Sequence, residues 1–324
     1  MSHLQDLVAK FNARGESPAC LNFSVKNCEG TGITVICRVE SRKAGTGLRK
    51  VDPWAMAFVD FLEKNGPLQP VIGLRVELDS RPDRSDLESF RRRLSYLALN
   101  NEWQVSLIVD RSTENLYRTW DELLSRPANE VVYTEVNRRQ DSPDSDGKVE
   151  KNFQTWLAGK NRSNNERLAV LGVDFIPDTG GDQAKVLREF PIGAFDLEIR
   201  EENRLFPTYW IDFVTLNKYR ELSLIELKVG DVKLEVMAQA LDYALFFSCY
   251  RILLAGFLSN HLLEPKSPID PEIPITCYIA NNRFHRCFSG IAPYYAPTLE
   301  KPPFSFRRID LGNTSDLEPR RKGT

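Results

Sequence analysis

No stretch of the sequence approaches the roughly 20 consecutive apolar residues that a membrane-spanning helix requires, so no such span is expected. Charge of one sign is missing too: 43 Lys and Arg stand against 45 Asp and Glu, a formal net charge of -2. That excludes a uniformly basic nucleic-acid coat but not a local basic cleft, because binding responds to the local field. The six cysteines, Cys20, Cys28, Cys37, Cys249, Cys277 and Cys287, include no Cys-x-x-Cys pair. A chain this long needs no disulfide staples, so free buried thiols are expected, and zinc is not. Glycine signatures are absent: Gly45-Thr46-Gly47 lacks the flanking pattern of a phosphate-binding or dinucleotide loop. There is no internal repeat. The residues from Met1 to Asp6 form neither a basic leader nor an apolar signal core, and the expected compartment is cytoplasmic.

What is present is an ordinary globular composition, 42% hydrophobic and 27% charged over 324 residues, enough for one large domain or two smaller ones. Residues 137–148 contain no apolar side chain and carry Pro143 and Gly147, which reads as an exposed connection. The expected division is a mixed α/β part over 1–138, a linker over 139–149, a second part over 150–312 and a frayed tail over 313–324.

Local patterns place strands at 21–25, 33–39, 71–78 and 103–109. Helices are expected from Pro53 to Lys64 and from Asp86 to Ala98. Residues 116–124 read as helical and 131–136 as extended. In the second part a helix opens at Val149, with Phe153, Trp156 and Leu157 on one face. Strands follow at 195–199, 211–216 and 222–229, then a helix over 232–247 capped by Asp231, then strands at 275–279 and 285–289. The fold class is α/β, a mixed sheet flanked by helices. Two basic groups stand out. Arg91, Arg92 and Arg93 follow Asp86 and Glu88 and read as a solvated helix face. Arg42, Lys43, Arg49 and Lys50, spaced by glycine, suit a phosphate backbone better. Arg283 and Arg286, beside Phe284, are further candidates for phosphate contact.

The chemistry concentrates at Asp212, Glu226 and Lys228. Side chains on a strand alternate, so Glu226 and Lys228 share a face while Ile225 and Leu227 point into apolar packing. The short turn from Asn217 to Glu221 makes the preceding strand an antiparallel neighbour and brings Asp212 alongside. Two carboxylates on a half-buried sheet need a cation to neutralise them. Mg²⁺, with Mn²⁺ as a substitute, suits oxygen ligands from Asp212, Glu226 and the Leu227 carbonyl. Lys228 would then orient or deprotonate a water, or stabilise the transition state of phosphodiester hydrolysis.

Ile211-Asp212, then Ile225-Glu226-Leu227-Lys228, then Gln239-Ala240-Leu241-Asp242-Tyr243 resembles the PD-(D/E)xK nuclease superfamily, with its restriction-endonuclease-like fold. The pattern is most similar to the branch of RecB-type and archaeal-type repair nucleases. The resemblance covers about residues 149–290 and implies metal-binding acids at Asp212 and Glu226 and a catalytic lysine at Lys228. It further implies support from Gln239 and Tyr243, four apart on one helix face, and an acid at Glu150. The proline usual before the first acid is replaced by Ile211. Asp196, in Pro191-Ile192-Gly193-Ala194-Phe195-Asp196, is a rival for that acid; the tighter hairpin favours Asp212. The expected function is a nuclease acting on DNA rather than RNA, in repair, restriction or defence, alone, as a homodimer or in a larger complex. The alternatives are an inactive scaffold subunit and a nuclease gated by a small ligand bound in the first part.

Overall fold

The computed structural model describes residues 2–13, 17–28, 31–40, 44–66, 69–125, 131–133, 148–158, 165–175, 185–207, 210–230, 232–262 and 268–312. The connection at 139–147, the tail from 313, Arg42, Lys43 and Asp231 lie outside them. Helix α1 (Ser2–Ala13) precedes a hairpin of β1 (Leu21–Cys28) and β2 (Gly32–Val39). Helix α2 (Ala44–Asn65), β3 (Val71–Leu78), α3 (Arg84–Asn101), β4 (Gln104–Val109) and β5 (Ser112–Glu114) follow. These strands form one sheet in the order β1-β2-β3-β4-β5. β2, β3 and β4 are parallel, which requires the crossovers that α2 and α3 supply.

After α4 (Trp120–Leu124) and β6 (Val131–Tyr133) comes the second part: α5 (Lys148–Ala158), β7 (Leu187–Pro191), β8 (Ala194–Asp196), β9 (Trp210–Leu216) and β10 (Leu222–Lys228). It closes with α6 (Glu235–Cys249), α7 (Arg251–His261), β11 (Ile275–Asn281), α8 (Phe288–Tyr295) and β12 (Ser305–Asp310). The second sheet runs β12-β11-β10-β9-β7, while β6 and β8 form a separate ribbon. β7, β9 and β10 are antiparallel neighbours, and β10, β11 and β12 are parallel. The protein is α/β, with mixed sheets flanked by helices. Among the described residues no single helix is long and apolar enough to cross a membrane.

Alternation along β10 sets the layering. Leu222 and Leu224 join a large buried cluster that runs from Leu7 to Phe304, whereas Ile225 and Leu227 join a second one with Phe153, Leu157, Phe213 and Tyr278. α5 therefore covers one face of the sheet and α6 the other. Full burial of Phe153 or Leu157 stabilises this cover by about 1.5–3 kcal/mol each. α6 also packs on α2 and α3, so helices fill the space between the two sheets. That position explains why α6 is apolar almost all round.

Several expectations are corrected. α2 does not begin at Pro53 but runs through it, since Val51, Trp54, Ala55 and Phe58 bury the helix deeply enough to tolerate one missing N–H. The first strand of the antiparallel set is β7; within 195–199, Leu197 takes a left-handed φ of 66° and is exposed together with Ile199. Residues 285–287 lead by a turn into α8, which takes in 288 and 289, because Phe288, Ile291 and Tyr295 are spaced for a buried helix face. All six cysteines are free, with Cys37, Cys249 and Cys277 buried and the other three half-buried.

The largest correction concerns α3. Arg91 is partly solvated, but Arg92 and Arg93 are buried. Arg93 donates Nε to Asp52 Oδ1 (3.1 Å), Nη1 to both oxygens of Asp242 (3.0 and 2.8 Å) and to Ser89 Oγ (3.1 Å), and Nη2 to the Leu48 carbonyl (3.0 Å). The Tyr295 hydroxyl donates to Asp52 Oδ2 (2.9 Å). A planar fork with five N–H donors can join α2, α3 and α6 in this way; a lysine could not. Arg92 lies over the Phe206 ring, 4.6 Å from its centroid, and pairs with Glu88 at 3.2 Å.

Candidate active site

Six of the side chains expected from the sequence lie together at one end of β9 and β10. The β9–β10 ladder is regular from Leu222–Leu216 to Ile225–Phe213 and stops there. One step further in the same register Glu226 stands opposite Asp212. The Leu227 N–H donates to the Asp212 carboxylate, at 2.6 Å from Oδ2. Asp212 Oδ1 accepts from Gln154 Nε2 of α5, also at 2.6 Å. Both oxygens of Asp212 are thereby oriented.

Glu226 is different. It is 2% exposed, and Lys228 Nζ approaches its Oε1 to 2.7 Å as an ion pair. Hydrogen bonds from Lys228 and from the Tyr243 hydroxyl act on this carboxylate. A carboxylate buried this deeply beside a second one is a candidate ligand for a cation, which would offset the charge of both. Lys228 Nζ also reaches Glu150 Oε1 of α5 at 3.4 Å, and Glu150 Oε2 accepts from the Val229 N–H at 3.2 Å. From α6, Gln239 Nε2 donates to the Tyr243 hydroxyl (2.5 Å), and Tyr243 donates to the Trp210 carbonyl on β9 (2.9 Å).

The electrostatics follow from three acids around one lysine. Burial, followed by the charge of Glu226, holds the Asp212 carboxyl well above the ordinary carboxylate range. Burial raises Glu226 as well, against the opposing charge of Lys228. Burial works against the Lys228 ammonium, but Glu226, Asp212 and Glu150 outweigh it and raise its pKa. The Tyr243 phenol is pushed up by burial and by the two acids beside it. With all three acids ionised, the cluster would carry more negative charge than the single ammonium neutralises.

These residues fit a divalent cation: two buried carboxylates of depressed acidity would both be stabilised by it. Among the described residues no group of three or more His, Cys, Asp or Glu is arranged to hold a metal.

Asp196 is not part of the cluster. It ends β8 in the separate ribbon and pairs with Arg84 at 2.7 Å. Arg49 and Lys50 lie on α2 and are half-buried, while Arg283 and Arg286 are exposed on the turn after β11. Asn282, on that turn, accepts from the Gly230 N–H at 2.7 Å, which ties the turn to the end of β10. Gln154 is the functional residue that sequence reasoning missed. Its signal was present: it lies four residues after Glu150, on the same helix face.

Compared with family models, with curated protein sequences and with solved structures, the chain gives no match.

Proposed function

We propose that this chain is a metal-dependent nuclease of the PD-(D/E)xK type that hydrolyses phosphodiester bonds, of DNA in preference to RNA. One observation carries the reading: buried Asp212 and Glu226 converge across two strands beside a lysine that a third acid also holds. The element order supports it. A helix, three antiparallel strands, a helix and a parallel strand agree with the fold that the sequence resemblance implies.

Asp212, Glu226 and the Leu227 carbonyl would hold Mg²⁺. When bound, the ion supplies Lewis acidity toward the scissile phosphate. The remaining roles belong to the chain. Gln154 and the Leu227 N–H fix the Asp212 carboxylate, so that its free lone pairs face one direction. Lys228, kept protonated by its three acids, acts as a fixed positive charge for the phosphoryl oxygens as water adds and the ester P–O bond breaks. Glu150 restrains the ammonium, and Gln239 with Tyr243 anchors α6 to β9 behind the acids. Arg283 and Arg286, exposed on the turn after β11, would contact a phosphate backbone.

The test is cleavage of single-stranded, duplex and flapped DNA and of RNA by the full chain with Mg²⁺, Mn²⁺ or EDTA. Cleavage that needs the ion and falls by about 10²-fold or more in Lys228→Ala is expected. Equal cleavage by wild type and Lys228→Ala would overturn the lysine's role. Absence of any heat on titration with Mn²⁺ would overturn the metal.

A further inference from the structure

β10, β11 and β12 run parallel, so their carboxyl ends open on one edge of the sheet, the edge at which open α/β sheets bind their ligands. The register carries the face of the acidic cluster along that edge. Glu226 is opposite Ile279, and Ile279 is opposite Arg308; Lys228, Asn281 and Asp310 form the next row on the same face. Paired residues point to one face, so the Arg308 side chain lies on the side of Glu226, two strand spacings or about 10 Å away. The turn that leaves Asn281 spans the interval, held to the end of β10 by the 2.7 Å bond from the Gly230 N–H to Asn282 Oδ1. Arg283 and Arg286 are exposed on it.

The surroundings of Arg308 leave one of its faces open. Its guanidinium lies over the Phe284 ring, 4.0 Å from the centroid, with the Phe288 ring at 6.0 Å. Its N–H groups lie in the guanidinium plane, and two of them reach Asp310 Oδ2 (3.2 Å) and Ser289 Oγ (3.5 Å). One face and part of the edge are thus occupied, yet the side chain is 43% exposed. What meets solvent is the outer face of a delocalised plane that an aromatic ring already backs. A phosphate takes the in-plane fork and would have to compete with Asp310, whereas a flat ring takes the outer face without disturbing either contact.

We propose that Arg308 is a stacking subsite for an unpaired nucleobase of the strand whose phosphodiester lies at Lys228. The base layers on the guanidinium, which layers on Phe284, while Arg283 and Arg286 meet the phosphates between. A base inside a duplex is covered on both faces by its neighbours, so the subsite selects single-stranded or splayed-out nucleotides. The path of the strand from Lys228 rests on the nuclease reading; the stacking contact itself does not.

The test is fluorescence anisotropy of a labelled oligothymidylate with the full chain in EDTA, where binding is read without cleavage. A strand of the same length built from abasic units keeps the phosphates and removes the bases. The oligothymidylate should bind at least about tenfold more tightly than the abasic strand. Arg308→Lys keeps the charge and loses the plane; it should weaken the oligothymidylate about tenfold and leave the abasic strand unchanged. Arg283→Ala should weaken both strands alike. Equal binding of the two strands, or wild-type affinity for the oligothymidylate in Arg308→Lys, would overturn the subsite. Base-dependent binding by a chain that cleaves no nucleic acid with Mg²⁺ or Mn²⁺ would sink the nuclease reading and leave the subsite standing. Metal-dependent cleavage with equal binding of both strands would do the reverse.

Discussion

Glu226→Gln should make the metal-free protein more stable, although Glu226 is one of the most deeply buried polar side chains in the molecule. Glutamine keeps the shape and removes a charge from a cluster of three acids and one lysine. Little hydrogen bonding is lost, because the carboxamide oxygen can still accept from Lys228 or Tyr243. Lys228 is not stranded, since Glu150 stays within 3.4 Å. Asp212 loses the neighbouring charge that, after burial, most disfavours its ionised form. Removing one partner of a buried pair ordinarily costs about 3–5 kcal/mol because the other charge is stranded; here Glu150 retains Lys228, and each pKa unit of acid repulsion relieved is worth about 1.4 kcal/mol, so a net gain of about 1–2 kcal/mol is expected. At about 2 °C per kcal/mol for a chain of this size, the thermal midpoint in EDTA should rise by about 2–4 °C.

With metal the order should reverse. A cation at 100 times its Kd stabilises the wild type by about 2.7 kcal/mol, and Glu226→Gln should gain almost none of it. The sign with pH is fixed. Asp212 and Glu226 hold protons in the folded state at pH values where the unfolded chain, with ordinary carboxylates ionising near pH 4, has released them. The wild type's handicap is therefore absent below about pH 4 and grows as pH rises through the native values. Melting both proteins in EDTA and in Mn²⁺ between pH 4 and 8 reads the crossing. A variant less stable than wild type in EDTA at neutral pH would show that the Lys228–Glu226 pair outweighs the acid repulsion, and the reasoning would fail.

Gln154→Leu leaves Asp212 Oδ1 without its donor and should lower kcat about 10–100-fold with KM little changed, read in the cleavage assay. Arg93→Met leaves Asp52 and Asp242 buried without their shared partner and should cost about 3–5 kcal/mol in urea unfolding. Arg93→Lys should recover little of this, because one ammonium cannot replace the fork. Burial, with Arg49 opposing, pushes the Asp86 carboxyl up to about 6. The folded state then binds the extra proton between about pH 4 and 6, so Asp86→Asn should stabilise the protein at pH 7.5 by up to about 1 kcal/mol and not at pH 3.5. Thermal melts at the two pH values check it.

How far the sequence could be read depended on how local each pattern was. The alternation of Leu222, Leu224 and Glu226 against Ile225 and Leu227 is a period of two, and the turn at Asn217–Glu221 is short. Together they determine that Asp212 and Glu226 meet. Asn217 itself closes that turn, its Oδ1 accepting from the Tyr219 and Glu221 N–H groups. Asp196 was harder to place, because its Gly-x-x-Asp setting is local while its strand partner β6 and its ion pair with Arg84 are remote in sequence.

By itself, then, the sequence determined the α/β class, the β9–β10 hairpin and the face that Glu226 and Lys228 share, since these follow from periods of two and 3.6 and from turn chemistry. Only the tertiary structure decided that Arg92 and Arg93 are buried, that α2 continues through Pro53, and that Gln154 reaches Asp212. In each case the deciding partner is distant in the chain: Asp242 lies 149 residues beyond Arg93, and Asp212 lies 58 beyond Gln154. A run of arginines looks solvated until a second layer of helices brings carboxylates to it, and that encounter is a property of packing rather than of local pattern.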